Sequence, residues 1–232
     1  MATVIFDWDG TIAESASGIT RSVQYALSTV GIEESDVNEL THFIGPPLSV
    51  EFKKTYDMSD DDIRKAILAF RTRYETEGIL ECNLYEGIED LLQDAVERFG
   101  MSLAVASSKT ESQLHRLVKH FNLESYFDVI CGSAPEAEEP ERIKTGKSNK
   151  AQVIEKTMHL MEMKYGELVK ADETYMIGDT IYDMEGASMQ GIHSVGVTYG
   201  YGQRADLEKY GAETLIHSVD ELYDYLYSLS SL

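Results

Sequence analysis

Thr3-Val4-Ile5-Phe6-Asp7-Trp8-Asp9-Gly10-Thr11 decides how the rest of the chain is read. A β-prone run from Thr3 to Asp7 brings the chain to two carboxylates one residue apart, and then to Gly10 and Thr11, which have turn chemistry. In extended chain, side chains two positions apart point the same way, roughly 6 to 7 Å from each other. Asp7 and Asp9 are therefore expected to stand together at the carboxyl end of a buried first strand. Two carboxylates that close repel each other unless a cation or a shared proton holds them. A solvent-exposed turn is the plainer alternative, and it fits less well because this turn follows a buried strand rather than closing a hairpin.

Beyond Gly87 the sequence alternates helices with continuous apolar strands. Helical patterns are expected at Ile88 to Arg98, Glu111 to Phe121, Lys150 to Tyr165, Ile181 to Met189 and Val219 to Leu229. Strands are expected at Ser102 to Ala106, Phe127 to Cys131, Thr174 to Ile177, His193 to Val197 and Thr214 to Ile216. This alternation predicts an α/β fold with a parallel sheet covered on both faces, whose ligands bind beyond the carboxyl ends of the strands.

Between Ser15 and Glu81 the pattern is helical only, with stripes at Ile19, Val23, Ala26, Leu27 and Val30 and at Ile63, Ala66, Ile67, Phe70 and Tyr74. Gly45-Pro46-Pro47 interrupts it, and Ser59 ahead of Asp60, Asp61 and Asp62 starts a helix with carboxylates at its positive end. The expected organisation is a core of residues 1–14 and 86–232 and a helical cap of residues 15–85, with hinges near Ala13 to Ser17 and Asn83 to Gly87. The acidic run Glu136 to Glu141, flanked by Pro135 and containing Pro140, reads as a solvated loop.

Composition narrows the function. The 232 residues are 43% hydrophobic and 26% charged with 4 Pro, as expected of a globular chain. Against 20 basic side chains stand 41 acidic ones, and the formal charge of -21 repels nucleic-acid and anionic lipid phosphates. No apolar run approaches the roughly 18 residues of a membrane span, and no signal peptide is expected. Cys82 and Cys131 lack metal-ligand spacing, so reduced thiols in a cytoplasmic protein are the expectation.

A second acidic cluster, Gly178-Asp179-Thr180-Ile181-Tyr182-Asp183, ends another strand and enters a helix. Asp183 alone reads equally as a helix cap. Together with Asp7 and Asp9, however, Asp179 and Asp183 make an oxygen-rich site suited to Mg²⁺. Ser107-Ser108-Lys109 closes the strand beginning at Ser102, and its hydroxyls are candidates for a phosphate oxygen, with an ordinary surface turn as the alternative. Lys147 and Lys150 are candidate cations for the same pocket, although surface lysines are common. A phosphate approaching these carboxylates needs both a divalent ion and an ammonium to reverse the local sign.

Taken in order, Phe6 to Thr11, Ser107-Ser108-Lys109, a lysine before a helix, and Gly178 to Asp183 resemble the four signature motifs of the haloacid dehalogenase superfamily. Gly45-Pro46-Pro47-Leu48 and Thr198-Tyr199-Gly200-Tyr201-Gly202 resemble its phosphoglycolate phosphatase-like branch. The resemblance implies a Rossmann-like core, a small helical cap, and an Mg²⁺-dependent phosphatase of a small phosphorylated metabolite. It makes Asp7 the nucleophile and Asp9 the general acid and base, with Asp7, Asp9 through its carbonyl, Asp179 and Asp183 around the metal. Gly10 and Thr11 would lie under the phosphate, Ser107 would bind a phosphoryl oxygen, and Ser108 and Lys109 would assist. Either Lys150 or Lys147 would be the charge-balancing lysine, Lys150 being favoured by analogy with phosphoserine phosphatase-like members.

The sequence departs from the family pattern in places. Ser108 stands where Asn is common, Glu14 where Asp is frequent, and the Lys-Pro-x-Pro of the third motif is absent. Retention of Asp9 favours ester hydrolysis over dehalogenation. A β-phosphoglucomutase-like transferase is the nearest rival, and a receiver-like phospho-acceptor or binding module is the non-enzymatic one. In the cap, Arg21, Lys53, Arg71 and Arg73 are candidate contacts for an anionic leaving group, or plain exposed helix cations.

Overall fold

A computed structural model describes residues 2–133 and 149–230 of the chain. Their contacts divide into two compact units: one formed by residues 2–13, 84–133 and 149–230, the other by residues 14–83.

The first unit is built on a six-stranded sheet. Its strands are β1 (Thr3–Phe6), β4 (Ser102–Thr110), β5 (Val129–Ser133), β6 (Thr174–Gly178), β7 (His193–Val197) and β8 (Thr214–Ile216). The order across the sheet is β5-β4-β1-β6-β7-β8, and every neighbouring pair is parallel. The chain thus lays strands outward on one side of β1, then returns to lay the rest on the other. The reversal lies between β1 and β6, and a sheet of this order binds ligands beyond the carboxyl ends at that crevice.

Val4, Ile5 and Phe6 are wholly buried, as a central parallel strand covered on both faces requires. The helix Lys150–Tyr165 lays Val153, Ile154, Met158 and Met161 against Ile5, Ala104, Ala106 and Met176. These positions repeat at helical spacing, and burying each such side chain is worth about 1.5–3 kcal/mol. The other helices of this unit are Ile88–Glu97, Glu111–His120, Ile181–Gln190, Arg204–Lys209 and Val219–Leu229.

The second unit is helical: Ala16–Thr29, Leu48–Tyr56 and Asp60–Thr76, with a short 3₁₀ segment at Val37–Phe43. Ser59 caps the third helix by accepting from the Asp62 amide at 3.2 Å, the start its sequence predicts. Arg73 is held inside this unit, donating to Ser22 Oγ at 2.9 Å and to Glu81 at 3.0 Å. Its side chain is only 16% exposed, so it is a structural tie of the helical pair and not a solvated cation. Lys53 is paired with Asp57 at 2.8 Å, and Arg21 lies 3.7 Å from Glu81.

Several elements differ from the sequence reading. The strand expected to stop at Ala106 continues to Thr110, because its register against β5 shifts between those residues. The strand expected over Phe127 to Cys131 begins two residues later. Phe127 instead turns inward and the Asp128 amide donates to Leu103 O at 2.8 Å. The two-residue strands β2 (Ala13–Glu14) and β3 (Asn83–Leu84) form a small sheet of their own and are too short to leave a periodic signal. The acidic run Glu136 to Glu141 and Lys147 lie outside the described residues. Cys82 and Cys131 are free thiols, and no described helix is long and apolar enough to cross a membrane.

Candidate active site

Asp7 is the first residue past β1, and its amide donates to Ile177 O at 2.9 Å, continuing the pairing with β6. Asp179 follows β6 directly, and Asp183 lies in the first turn of the helix Ile181–Gln190. The two strand ends that flank the reversal of the sheet therefore deliver their carboxylates to one place. Ligand oxygens of Asp7, Asp179 and Asp183 lie within 4.8 Å of one another, and all three residues are buried.

Lys150, the first residue of its helix, enters this group. Its Nζ stands 2.6 Å from Asp7 Oδ1 and 2.8 Å from Asp183 Oδ1, and donates to Ala106 O at 3.0 Å. Only 2% of the residue is exposed. Burial opposes the ammonium charge, but the Asp183 and Asp7 carboxylates outweigh it and hold the Lys150 pKa above the ordinary lysine range. Of the two lysines the sequence left open, Lys150 meets the carboxylates.

Asp183 serves two neighbours with its two oxygens. Oδ2 closes a capping box, accepting from the Thr180 amide at 3.0 Å and the Thr180 hydroxyl at 2.7 Å, while Oδ1 faces Lys150. The cap reading of this residue is thus realised, and its second oxygen is left facing the lysine and the other carboxylates. A Cβ on Gly178 would stand 2.2 Å from Asp183 Cγ, so the glycine of the Gly178-Asp179 pair makes room for the later carboxylate.

Asp179 is clamped from behind. Its Oδ2 accepts from the Tyr201 amide at 2.7 Å, and a Cβ on Gly202 would fall 1.7 Å from its carbonyl oxygen. Gly10, at φ +75°, would place a Cβ 2.0 Å from Asp179 Oδ2, so both its backbone conformation and its closeness demand glycine. Tyr199 fastens the same loop to the first turn by donating from its hydroxyl to Thr11 O at 3.1 Å. None of these loop contacts carries a periodic signal. The run Thr198 to Gly202 was visible in sequence only as a likeness, with no role attached.

The remaining Asp179 oxygen, Oδ1, is buried, and no hydrogen-bond donor among the described residues meets it. Burial first, then the Asp7 and Asp183 charges, push the Asp179 carboxyl well above the usual carboxylate range. For Asp183, burial and Asp7 raise the carboxyl against the pull of Lys150 and Thr180, with a net upward shift. A buried third carboxylate with an orphaned oxygen is costly by itself and suited to a hard cation. The donor set of Asp7, Asp179 and Asp183 therefore fits a divalent metal, with oxygen ligands of the kind Mg²⁺ takes.

Asp9 stands apart from that triad. The turn Trp8 to Ala13 is tight, with Trp8 O accepting from the Ile12 and Ala13 amides at 3.0 and 2.9 Å, and Asp9 pairs in an isolated bridge with Ala13. Its Oδ2 lies 3.0 Å from Lys109 Nζ. Thr11 is wholly buried with an unmet Oγ1, and Ser107 is 1% exposed with its Oγ facing the Lys109 amide at 3.4 Å. Ser108 supplies a carbonyl that accepts from the Ser133 hydroxyl at 2.7 Å. The helix that follows is already capped, Thr110 and Gln113 satisfying each other's amides. The Thr110 and Gln113 amides are thereby engaged.

Comparison with known proteins agrees with this arrangement. A family model described as "Haloacid dehalogenase-like hydrolase" matches residues 4–197. The chain is 36% identical to a 5'-nucleotidase of Pseudomonas aeruginosa over 88% of this chain and 86% of that one. It is 32% identical to the tyrosine-protein kinase PtkA of Mycobacterium tuberculosis over 96% of this chain and 72% of that one. It is 28% identical to a phosphoglycolate phosphatase of Agrobacterium fabrum, with 85% and 80% covered. Among solved structures, a predicted phosphatase from Clostridium acetobutylicum superposes with a TM-score of 0.84 at 35% identity, covering 98% of this chain and 99% of that one. With a model spanning most of its length, and with the sheet order and strand-end acids already described, the chain belongs to the haloacid dehalogenase-like hydrolase family.

Proposed function

We propose that this enzyme is a phosphatase that hydrolyses a small phosphomonoester through a phosphorylated Asp7, with Mg²⁺ held by Asp7, Asp179 and Asp183 and by the Asp9 carbonyl. The observation that carries the reading is the meeting of three buried carboxylates from two adjacent strand ends with one buried ammonium, Lys150.

Asp7 attacks phosphorus as the bond to the leaving oxygen breaks, and Asp9 in its acid form gives that oxygen a proton. Asp9, now a carboxylate, takes a proton from water, the water oxygen bonds to phosphorus, and Asp7 is released as inorganic phosphate departs. Lys150 holds one Asp7 oxygen, so that the other is presented as the nucleophile. Ser107 and the Gly10–Thr11 turn bind the phosphoryl oxygens. When bound, the metal would supply positive charge that offsets the negative charge of the phosphate ester. The helical unit serves as a cap that selects the leaving group, a role supported by its place directly after the first strand.

Phosphoglycolate, sugar phosphates and nucleotides are the substrate classes to try first, in keeping with the activities named for the relatives. Likeness to a protein named as a kinase supports a second reading, in which Asp7 passes its phosphoryl group to an acceptor hydroxyl instead of water. A panel of phosphorylated metabolites assayed for inorganic phosphate with Mg²⁺, with EDTA, and with the Asp7→Asn variant tests both. Metal-dependent phosphate release lost in Asp7→Asn is expected. Phosphate release that survives in Asp7→Asn refutes the nucleophile, and transfer to added alcohols without phosphate release favours the second reading.

A further inference from the structure

We infer that Lys109 is a positioning residue for Asp9, holding its carboxylate in place for proton transfer rather than binding phosphate itself. The inference rests on Asp9 as the acid of the proposed reaction.

Two buried features lead to it. The first is the ion pair: Lys109 Nζ lies 3.0 Å from Asp9 Oδ2, with the two side chains 6% and 16% exposed. An exposed pair of that length would be worth little, but a pair withdrawn from water is retained only where its geometry is well made. Lys150 already serves Asp7 and Asp183, so the two ammonium groups that the described residues bring to these carboxylates are divided between the two halves of the chemistry.

The second is the device that brings Lys109 there. Strict alternation along β4 ends at Ala106, where its register against β5 shifts before pairing resumes at Thr110. The displaced segment is pinned from β5. Ser133 Oγ donates to Ser108 O at 2.7 Å and to Lys109 O at 3.3 Å, and a Cβ on Gly132 would stand 2.5 Å from Lys109 O. An irregularity of this kind re-aims a side chain at the rim of a sheet. Here the re-aimed side chain is Lys109, and its ammonium is placed by backbone contacts made before any substrate arrives. Asp9 sits on a turn beyond the end of β1, outside the regular pairing of the sheet, and needs such an external fix.

The test uses the dependence of kcat/KM on the leaving group. An alkyl phosphate needs a proton on its leaving oxygen, whereas p-nitrophenyl phosphate leaves with little help. Lys109→Met is expected to lower kcat/KM for an alkyl phosphomonoester by up to about 10²-fold, the scale of a misplaced catalytic group. For p-nitrophenyl phosphate it should change little, with KM for both held. Lys109→Arg should recover part of the loss, and Lys109→Met added to Asp9→Asn should lower activity no further than Asp9→Asn alone. Equal losses on both substrates, or losses that add to those of Asp9→Asn, overturn the inference and return Lys109 to phosphate binding. If Lys109→Met does not fold, Lys109→Gln and Lys109→Arg carry the same comparison. Should Asp9→Asn itself show no leaving-group dependence, the reading of Asp9 fails first. If Asp9→Asn shows it and the Lys109 variants do not, only the present inference fails.

Discussion

Replacing Lys150 with Met asks whether the carboxylate cluster needs its ammonium to fold. Lys150 is 2% exposed and lies 2.6 and 2.8 Å from Asp7 and Asp183, while Asp179, with its carboxyl already pushed up, is part of the same cluster. Met fills most of the lysine's volume, so the cavity contribution stays small and the lost charge dominates. Removing one partner of a buried ionic group costs about 3–5 kcal/mol. In a chain of this length each kcal/mol moves Tm by about 2–4 °C, so the metal-free variant should melt roughly 6–20 °C lower.

The Lys156–Glu111 pair is the internal control. It is equally short at 2.6 Å, but its side chains are 50% and 44% exposed, so Lys156→Met should cost under about 1 kcal/mol. The pH dependence has a definite sign. In wild type the raised Lys150 pKa means its stabilisation is fully present below the ordinary lysine value of about 10.4 and is lost only as pH rises through the folded one. In Lys150→Met the uncompensated carboxylates take up protons more readily when folded, so the deficit should shrink as pH falls toward the carboxylate range near about 4. Thermal and urea melts followed by circular dichroism in EDTA at about pH 8 and about pH 5.5 measure both effects. A loss at the higher pH no greater than that of Lys156→Met, or one that does not diminish on acidification, refutes the reasoning.

Two further outcomes are expected. Gly202→Ala drives a methyl to 1.7 Å from Asp179 O; it should cost about 1–3 kcal/mol and weaken Mg²⁺ binding by calorimetry while circular dichroism stays native, and unchanged affinity would remove the loop from the site. Because Asp179 is raised, its contribution favours the metal-free fold fully below the ordinary carboxylate value of about 4 and is lost as pH rises through the folded value, whereas metal binding needs the carboxylate. The rise in Tm on adding Mg²⁺ should therefore grow between about pH 5 and about pH 8, and a flat or falling rise counts against Asp179 as a ligand.

Much of this architecture was legible because parallel strands buried on both faces leave uninterrupted apolar runs, and Val4 to Phe6 and Tyr175 to Ile177 are such runs. Asp7 follows the first directly and Asp179 follows the second after one glycine, so locating the strands located the acids. Asp183 was legible by its spacing, though spacing did not separate helix cap from site residue; one oxygen of its carboxylate caps the helix and the other faces Lys150. Lys150 was one of two choices, because a lysine at a helix start looks the same in sequence wherever its long side chain ends.

What the sequence concealed has a common physical origin in the third dimension of the loops. The partner of Asp9 depends on a register shift between Ala106 and Thr110, which no alternation of residue types announces. The support of Asp179 is a backbone amide, Tyr201 N–H, which any residue but proline supplies. Arg73 was read by charge as a candidate anion contact, yet its guanidinium is spent on Ser22 and Glu81 within the helical pair, where packing sets its partners.

Charge ties the legible and concealed parts together. Among the described residues, Asp7, Asp9, Asp179 and Asp183 bring four carboxylates to the end of the sheet, and Lys109 and Lys150 bring two ammonium groups, leaving a formal excess of two negative charges. That excess equals the charge of one divalent ion. The chain as a whole, at -21, draws cations toward the molecule and repels phosphates from it, so the surface does not favour a phosphate dianion except where the local sign is reversed. Neither lysine can supply that reversal alone, since each is already engaged with carboxylates. On the reading proposed above, anion binding is then expected to follow cation binding, because a bound cation would reverse the local sign that two engaged lysines leave negative.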